Sequence, residues 1–125
     1  MKFLCLVYGD EETLQDMPFD ECIEYDESLR KSGRCVASES LQPTTTGATV
    51  RVRNGKVNVT DGPFMETKEA LAGFYLVEAA NLQEAITIAA GIPPAQVGSI
   101  EVRPIRPIRD MRAEREKAGE LRAAG

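Results

Sequence analysis

The groups with which this chain could do chemistry concentrate in one segment, Asp61-Gly62-Pro63-Phe64-Met65-Glu66-Thr67-Lys68-Glu69. Beside the start of an apolar strand at Gly73, Glu66 or Glu69 could take up a proton and Lys68 could hold an anion. The same residues also read as plain structure. Asp-Gly-Pro makes a turn, and Glu-Thr-Lys-Glu makes a solvated helical turn, so both readings stand. Asp26 is the second candidate. It lies midway between Ile23 and Leu29 on a helical stripe, a place that aims a carboxylate toward a sheet. One reading makes it an acid of raised pKa lining a cleft, with Tyr8, Tyr75 or Lys68 as neighbours. The other, preferred because periodicity fixes a face only loosely, rotates the helix so that Tyr25 is buried and Asp26 reaches water. Candidate catalytic residues are therefore Asp26, Glu66 and Lys68. Tyr8, Asp26, Asp61, Gly62, Pro63, Phe64, Glu66, Lys68, Glu69 and Tyr75 form the candidate ligand-binding set.

What is missing narrows the chemistry further. Histidine is absent, which removes the imidazole base of the usual nucleophile pairings. Cys5, Cys22 and Cys35 are three and widely spaced, so neither a disulfide framework nor a zinc site is expected. Cys5 and Cys22 read as small core residues, while Arg34 could lower the pKa of Cys35. No cofactor and no metal is expected. Glu39, Glu101 and Arg103 interrupt apolar strands and read as pocket groups or as a cross-strand ion pair.

The elements that must position these residues follow from patterning. Lys2–Tyr8 is a short apolar run that reads as a strand buried on both faces. An acidic connection covers 10–18. Phe19 to Gly33 predicts a helix with Phe19, Cys22, Ile23 and Leu29 inward, acids in its first turns, Arg30 and Lys31 in its last, and Gly33 as its stop. A strand follows over 35–41. Alternating valines around Asn54-Gly55 predict a tight hairpin over 49–60. Residues 65–71 form a short charged segment and 73–77 a second fully apolar strand. Asn81 caps a helix with Leu82, Ala85, Ile86 and Ala89 inward, which Pro93-Pro94 ends. Residues 99–103 form the last strand. A charged tail of +2 spans 106–125, leaving −7 on residues 1–105; it reads as a solvated helix or terminus, or as a basic arm that clasps a partner.

The order β-α-β, hairpin, β-α-β predicts an α+β, ferredoxin-like domain over 1–105 with one antiparallel sheet and both helices on one face. Two strands apolar on both sides then need a second cover. A second copy of the chain, packed sheet face to sheet face, is the simplest one. The chain has 125 residues and a net charge of −5, which makes one domain and argues against nucleic acid. No apolar run approaches a membrane span, and the apolar N-terminus stops at Gly9-Asp10 without a cleavage site, so a cytoplasmic protein without membrane contact is expected.

Gly9-Asp10-Glu11, Gly33, Glu39-Ser40-Leu41-Gln42-Pro43, the Val-Arg-Val-Arg-Asn-Gly hairpin, and Asp61-Gly62-Pro63-Phe64-Met65-Glu66-Thr67-Lys68-Glu69 with Gly73-Phe74-Tyr75 carry a resemblance over residues 2–105. In these motifs the chain resembles the DGPF-domain branch of the YCII-related family. The resemblance implies a dimeric α/β-barrel of ferredoxin-like protomers and no established reaction. The His/Asp pair of some YCII-like proteins has no counterpart here. DGPF-domain genes often neighbour sigma-factor genes, which suggests regulation or stress signalling by association. The expectation is a small-molecule-binding homodimer whose cleft lies between the first predicted helix and the sheet near Asp61–Glu69, with catalysis by carboxylate and Lys groups left open. The alternative is a non-catalytic interaction or regulatory module.

Overall fold

The computed structural model describes residues 1–124; Gly125, the last residue of the predicted tail, lies outside them. The elements are β1 (Lys2–Gly9), α1 (Glu11–Gln15), α2 (Phe19–Lys31), β2 (Cys35–Ser40), β3 (Ala48–Arg53), β4 (Lys56–Asp61), β5 (Ala70–Glu78), α3 (Leu82–Gly91), β6 (Ser99–Pro104) and α4 (Ile108–Ala124). Four strands form one sheet in the order β2-β5-β1-β6, antiparallel at every pairing, and β3 pairs with β4 as a separate hairpin. This is the ferredoxin-like α+β plan. Asn54 and Gly55, at φ 52° and 74°, supply the two left-handed residues that the hairpin turn requires.

Register sorts the sheet into rows, because paired residues share a face. Val102, Cys5, Tyr75 and Ser38 form one row on the helix side, and Ile100, Val7, Gly73 and Ser40 the next. Phe3, Cys5, Val7 and Val77 pack there against Leu29 of α2 and against Ala85, Ile88 and Ala89 of α3. Burying a side chain such as Phe3 stabilises the fold by about 1.5–3 kcal/mol. The other face carries the rows Arg103, Leu4, Leu76, Ala37 and Glu101, Leu6, Phe74, Glu39. Its centre is apolar and its rim is charged. Leu4, Leu6, Phe74 and Leu76 are only half-buried, so the two apolar strands are covered on one side within the chain, not on both.

On α2 the stripe of Phe19, Cys22, Ile23 and Leu29 is turned to the setting preferred for Asp26, with Tyr25 inward, and α3 is turned from its predicted face. On α2, Leu29 is buried and Tyr25 packs against the core, while Phe19 and Ile23 are 70% and 54% exposed. The cause is polar. The Tyr25 hydroxyl donates to the carbonyl of Ile88 and ties α2 to α3. On α3, Ile88 replaces Ile86 and Leu82 in the core. The acidic connection contains α1, because the Asp10 carboxylate accepts from the Thr13 amide at 3.1 Å and caps a helical turn. Asp61 ends β4 opposite Ala48 rather than opening the turn. β5 begins at Ala70, so the last part of the charged segment is strand. The tail forms α4, which packs on no other element extensively, and neither does the hairpin.

Candidate functional site

A cleft of about 560 Å³ opens between α2 and the β2–β5 edge of the sheet. Its origin is a shortage of side chain on the floor. Where the helix-side rows carry Val and Cys at the sheet centre, they end in Gly73, Ser38 and Ser40 toward the β2 edge. Gly73 is required there: a Cβ at this position would lie 2.7 Å from the Glu39 carbonyl oxygen. Above this floor, α2 presents Phe19, Cys22, Ile23, Asp26, Glu27 and Arg30, and Leu14 and Met17 close one end. A smaller recess of about 210 Å³ shares Leu14, Phe19, Ser40 and Ala72 with it and runs toward Pro43. The combined lining is mostly apolar with a few polar groups, the usual makeup of a small-molecule site.

One polar network bridges the cleft. Arg30 Nε donates to Asp26 Oδ2 at 2.9 Å, Arg30 Nη2 donates to Ser38 Oγ at 2.7 Å, and the Ser38 hydroxyl donates to the other Asp26 oxygen. Asp26 and Arg30 are one helical turn apart, so their pairing is local; Ser38 brings the edge strand into it. Burial by itself would raise the pKa of Asp26, but the hydrogen bonds from Ser38 and Arg30 and the guanidinium charge outweigh it, and the carboxyl titrates below its ordinary value. Of the two readings of Asp26, this sets aside the acid of raised pKa and agrees with the preferred one. Asp26 is a carboxylate at neutral pH, already holding donors, and is poorly suited to release or take up a proton.

Tyr75 stands beside this network. Burial, then the Asp26 carboxylate, Cys22, Tyr25 and Cys35, push its phenol up to about 12. It therefore stays neutral in the physiological range. Its ring meets Tyr25 edge-on, with centroids 6.2 Å apart. Its hydroxyl makes no hydrogen bond among the described residues and is free to meet a ligand. Burial pushes Cys5 up to about 11, and burial and Glu21 raise Cys22, so neither is an activated thiol.

Of the candidate ligand-binding residues, only Asp26 and Tyr75 line this cleft; Glu39, read as a pocket group or an ion-pair member, also borders it, from a register position on the opposite face of the sheet. Tyr8 belongs to β1, paired with Leu71 and Ser99, and lines neither recess. Asp61, Pro63, Phe64, Glu66, Lys68 and Glu69 are exposed and Gly62 is partly so; none of them borders either recess. Lys68 is thus no neighbour of Asp26. This segment makes structural contacts instead. Phe64 lies 4.6 Å under the Arg51 guanidinium, Gly62 at φ 85° closes onto Gly47, and Glu69 accepts from Ser99. Glu101 and Arg103 approach to 3.6 Å along β6, an exposed pair within one strand rather than between strands. Sequence reasoning passed over Arg30 and Ser38. The i, i+4 spacing of Asp26 and Arg30 was a usable signal, whereas the Ser38 contact depends on how β2 lies against α2. No group of three or more metal-ligating side chains occurs among the described residues, and no described helix is long and apolar enough to cross a membrane.

The family model for the YCII-related domain matches residues 1–109. An uncharacterized protein of Rhizobium meliloti (strain 1021) is 40% identical over 114 residues, covering 84% of this chain and 92% of the relative.

The network sets a pH signature. A carboxyl whose folded pKa is lowered contributes stability that is complete above its unfolded pKa, about 3.9, and is lost as pH falls through the lower folded value. Urea unfolding of the full chain and of Asp26→Asn should differ by a constant amount, on the order of 1 kcal/mol, above pH 5. The difference should shrink as pH drops below about 4.

Proposed function

Since the chain belongs to the YCII-related family, we propose that it is a small-molecule-binding homodimer, with the cleft under α2 as its binding site. The observation that carries this reading is the cleft itself. Ser38, Ser40 and Gly73 leave a space that a closed core would fill, and Phe19 and Ile23 expose apolar surface to it. Asp26 and Arg30 hold each other across a wall of that space, and Tyr75 offers a neutral hydroxyl. The arrangement suits recognition better than acid–base catalysis, since the carboxylate is stabilised in its charged form and the phenol in its neutral form. The Asp-Gly-Pro-Phe segment associates the chain with the DGPF branch, and its contacts favour a structural part for it at the base of the hairpin.

The dimer reading rests on the open sheet face. Leu4, Leu6, Phe74 and Leu76 form an apolar centre and Glu39, Glu101 and Arg103 a charged rim, the makeup of a protein interface. In this reading two copies pack these faces together and close a barrel, with the α2 cleft of each left on the outside. A protein-interaction role has one observation in its favour, the projecting α4 with its net charge of +1, and in that reading α4 meets an acidic partner surface.

Two measurements test the proposal. Light scattering of the full chain at micromolar concentration should give twice the chain mass of 13.7 kDa, and Leu6→Lys with Leu76→Lys should give a folded single chain; a monomeric wild type contradicts the assembly. For the cleft, 4-phenylbutan-1-ol is a neutral probe. Ile23→Asp should weaken its binding on the order of tenfold, while Glu66→Ala with Lys68→Ala leaves it unaltered. The opposite pattern, or no saturable binding to wild type, refutes the site.

A further inference from the structure

The two recesses beside α2 meet at one place. Leu14, Phe19, Ser40 and Ala72 border both of them. Ser40 and Ala72 are small and belong to the sheet, whereas Leu14 comes from α1 and Phe19 from the first residue of α2. The space is therefore one trough, narrowed from above rather than from its floor.

Leu14 is the fixed part of that narrowing. It belongs to the five-residue α1. Asp10 holds the start of this helix, accepting from the Thr13 amide at 3.1 Å and from the Thr13 hydroxyl at 2.9 Å. The Glu11 carboxylate accepts from the Thr44 amide at 3.1 Å and fastens α1 to the segment that follows β2. Leu14 then rests on β1 where that strand has no side chain: a Cβ on Gly9 would lie 2.7 Å from Leu14 Cδ1 and 2.9 Å from Leu14 Cγ. Leu14 is partly buried, while Phe19 is 70% exposed. An exposed side chain changes rotamer within nanoseconds and turns aside for a ligand; one seated on a strand and held by two hydrogen-bonded ties keeps its place.

The floor changes at the same point. β5 pairs Gly73 with Val7 and then Leu71 with Tyr8, so Ala72 is an extra residue, a β-bulge that bends the strand. The Ala72 carbonyl accepts from the Leu41 amide at 2.8 Å and carries the floor past the end of β2. Beyond Leu14 the trough continues along Leu41, Gln42 and Pro43 of the following loop, with Gln15 of α1 beside them.

We propose that Leu14 sets the length of ligand that the cleft takes. A neutral, mainly apolar molecule of one ring and a short chain ends against this side chain. The recess toward Pro43 opens to longer members of the same class only when Leu14 is cut back. The proposal deepens the site proposed above and rests on that site. Binding is non-covalent, with no bond made or broken.

The test compares 4-phenylbutan-1-ol with 6-phenylhexan-1-ol on the full chain by calorimetry. Two further methylenes in an open apolar trough would tighten binding about tenfold. In the wild type the longer alcohol should gain less than twofold. In Leu14→Ala it should bind about fivefold or more tightly than the shorter one, and its amide NMR shifts should spread to residues 41–43. Leu14→Val, a smaller cut, should move the ratio the same way by less, and it decides the matter if the Ala variant does not fold. Phe19→Ala should weaken both alcohols alike. A tenfold preference for the longer alcohol in the wild type overturns the proposal and leaves the cleft in place. So does a ratio unaltered in the folded Leu14 variants, or one changed as much by Phe19→Ala. Failure of both alcohols to bind the wild type overturns the cleft along with it.

Discussion

The rotation of α2 about its own axis is the constraint on which this structure turns. Two polar ties on neighbouring residues set it. Tyr25 reaches inward to the Ile88 carbonyl on α3, and Asp26 reaches sideways to Ser38 on the edge strand, with Arg30 one turn later bonded to both Asp26 and Ser38. Residues one step apart on a helix point about 100° apart, so these two ties fix the helix like two pins. Phe19 and Ile23 are thereby held out of the core.

The sheet carries the complementary constraint. Its rows are well filled at the centre on the helix side, with Cys5 and Val7, and empty toward the β2 edge. Small residues at the edge cost some apolar burial, which the Asp26–Ser38–Arg30 network partly offsets. Its opposite face is apolar at the middle of both rows and charged at the ends. The two faces therefore suggest different uses of one sheet: assembly on the side without helices, recognition on the side with them. The chemistry available for recognition is electrostatic and apolar. Every titratable group in the cleft whose pKa is displaced is pushed away from neutrality, Asp26 downward, Tyr75 and Cys22 upward.

Much of the fold was legible in the sequence for local reasons. Asn54-Gly55 names its turn, Gly33 ends its helix, Asn81 begins another, and apolar runs mark β1 and β5. The ferredoxin-like order follows from these. The site was legible only in part. Asp26 stood out because it interrupts an apolar stripe, but helical periodicity allows the face to turn by a residue, and the Tyr25 tie to a carbonyl 63 positions away decided it. Arg30 read as a charge matched to the helix dipole, because its second partner, Ser38, belongs to another element. Glu66 and Lys68 drew attention as charges next to a strand, yet the hairpin before them carries their segment to the surface away from α2. Linear proximity to β5 did not become proximity to the cleft.

The central claim, that the space beneath α2 is where this protein meets a ligand, is most directly tested by backbone and methyl NMR of the full chain titrated with 4-phenylbutan-1-ol. The account predicts shifts concentrated at Phe19, Cys22, Ile23, Ser38 and Tyr75. Shifts centred on the residues from Asp61 to Glu69, with α2 unmoved, would contradict it.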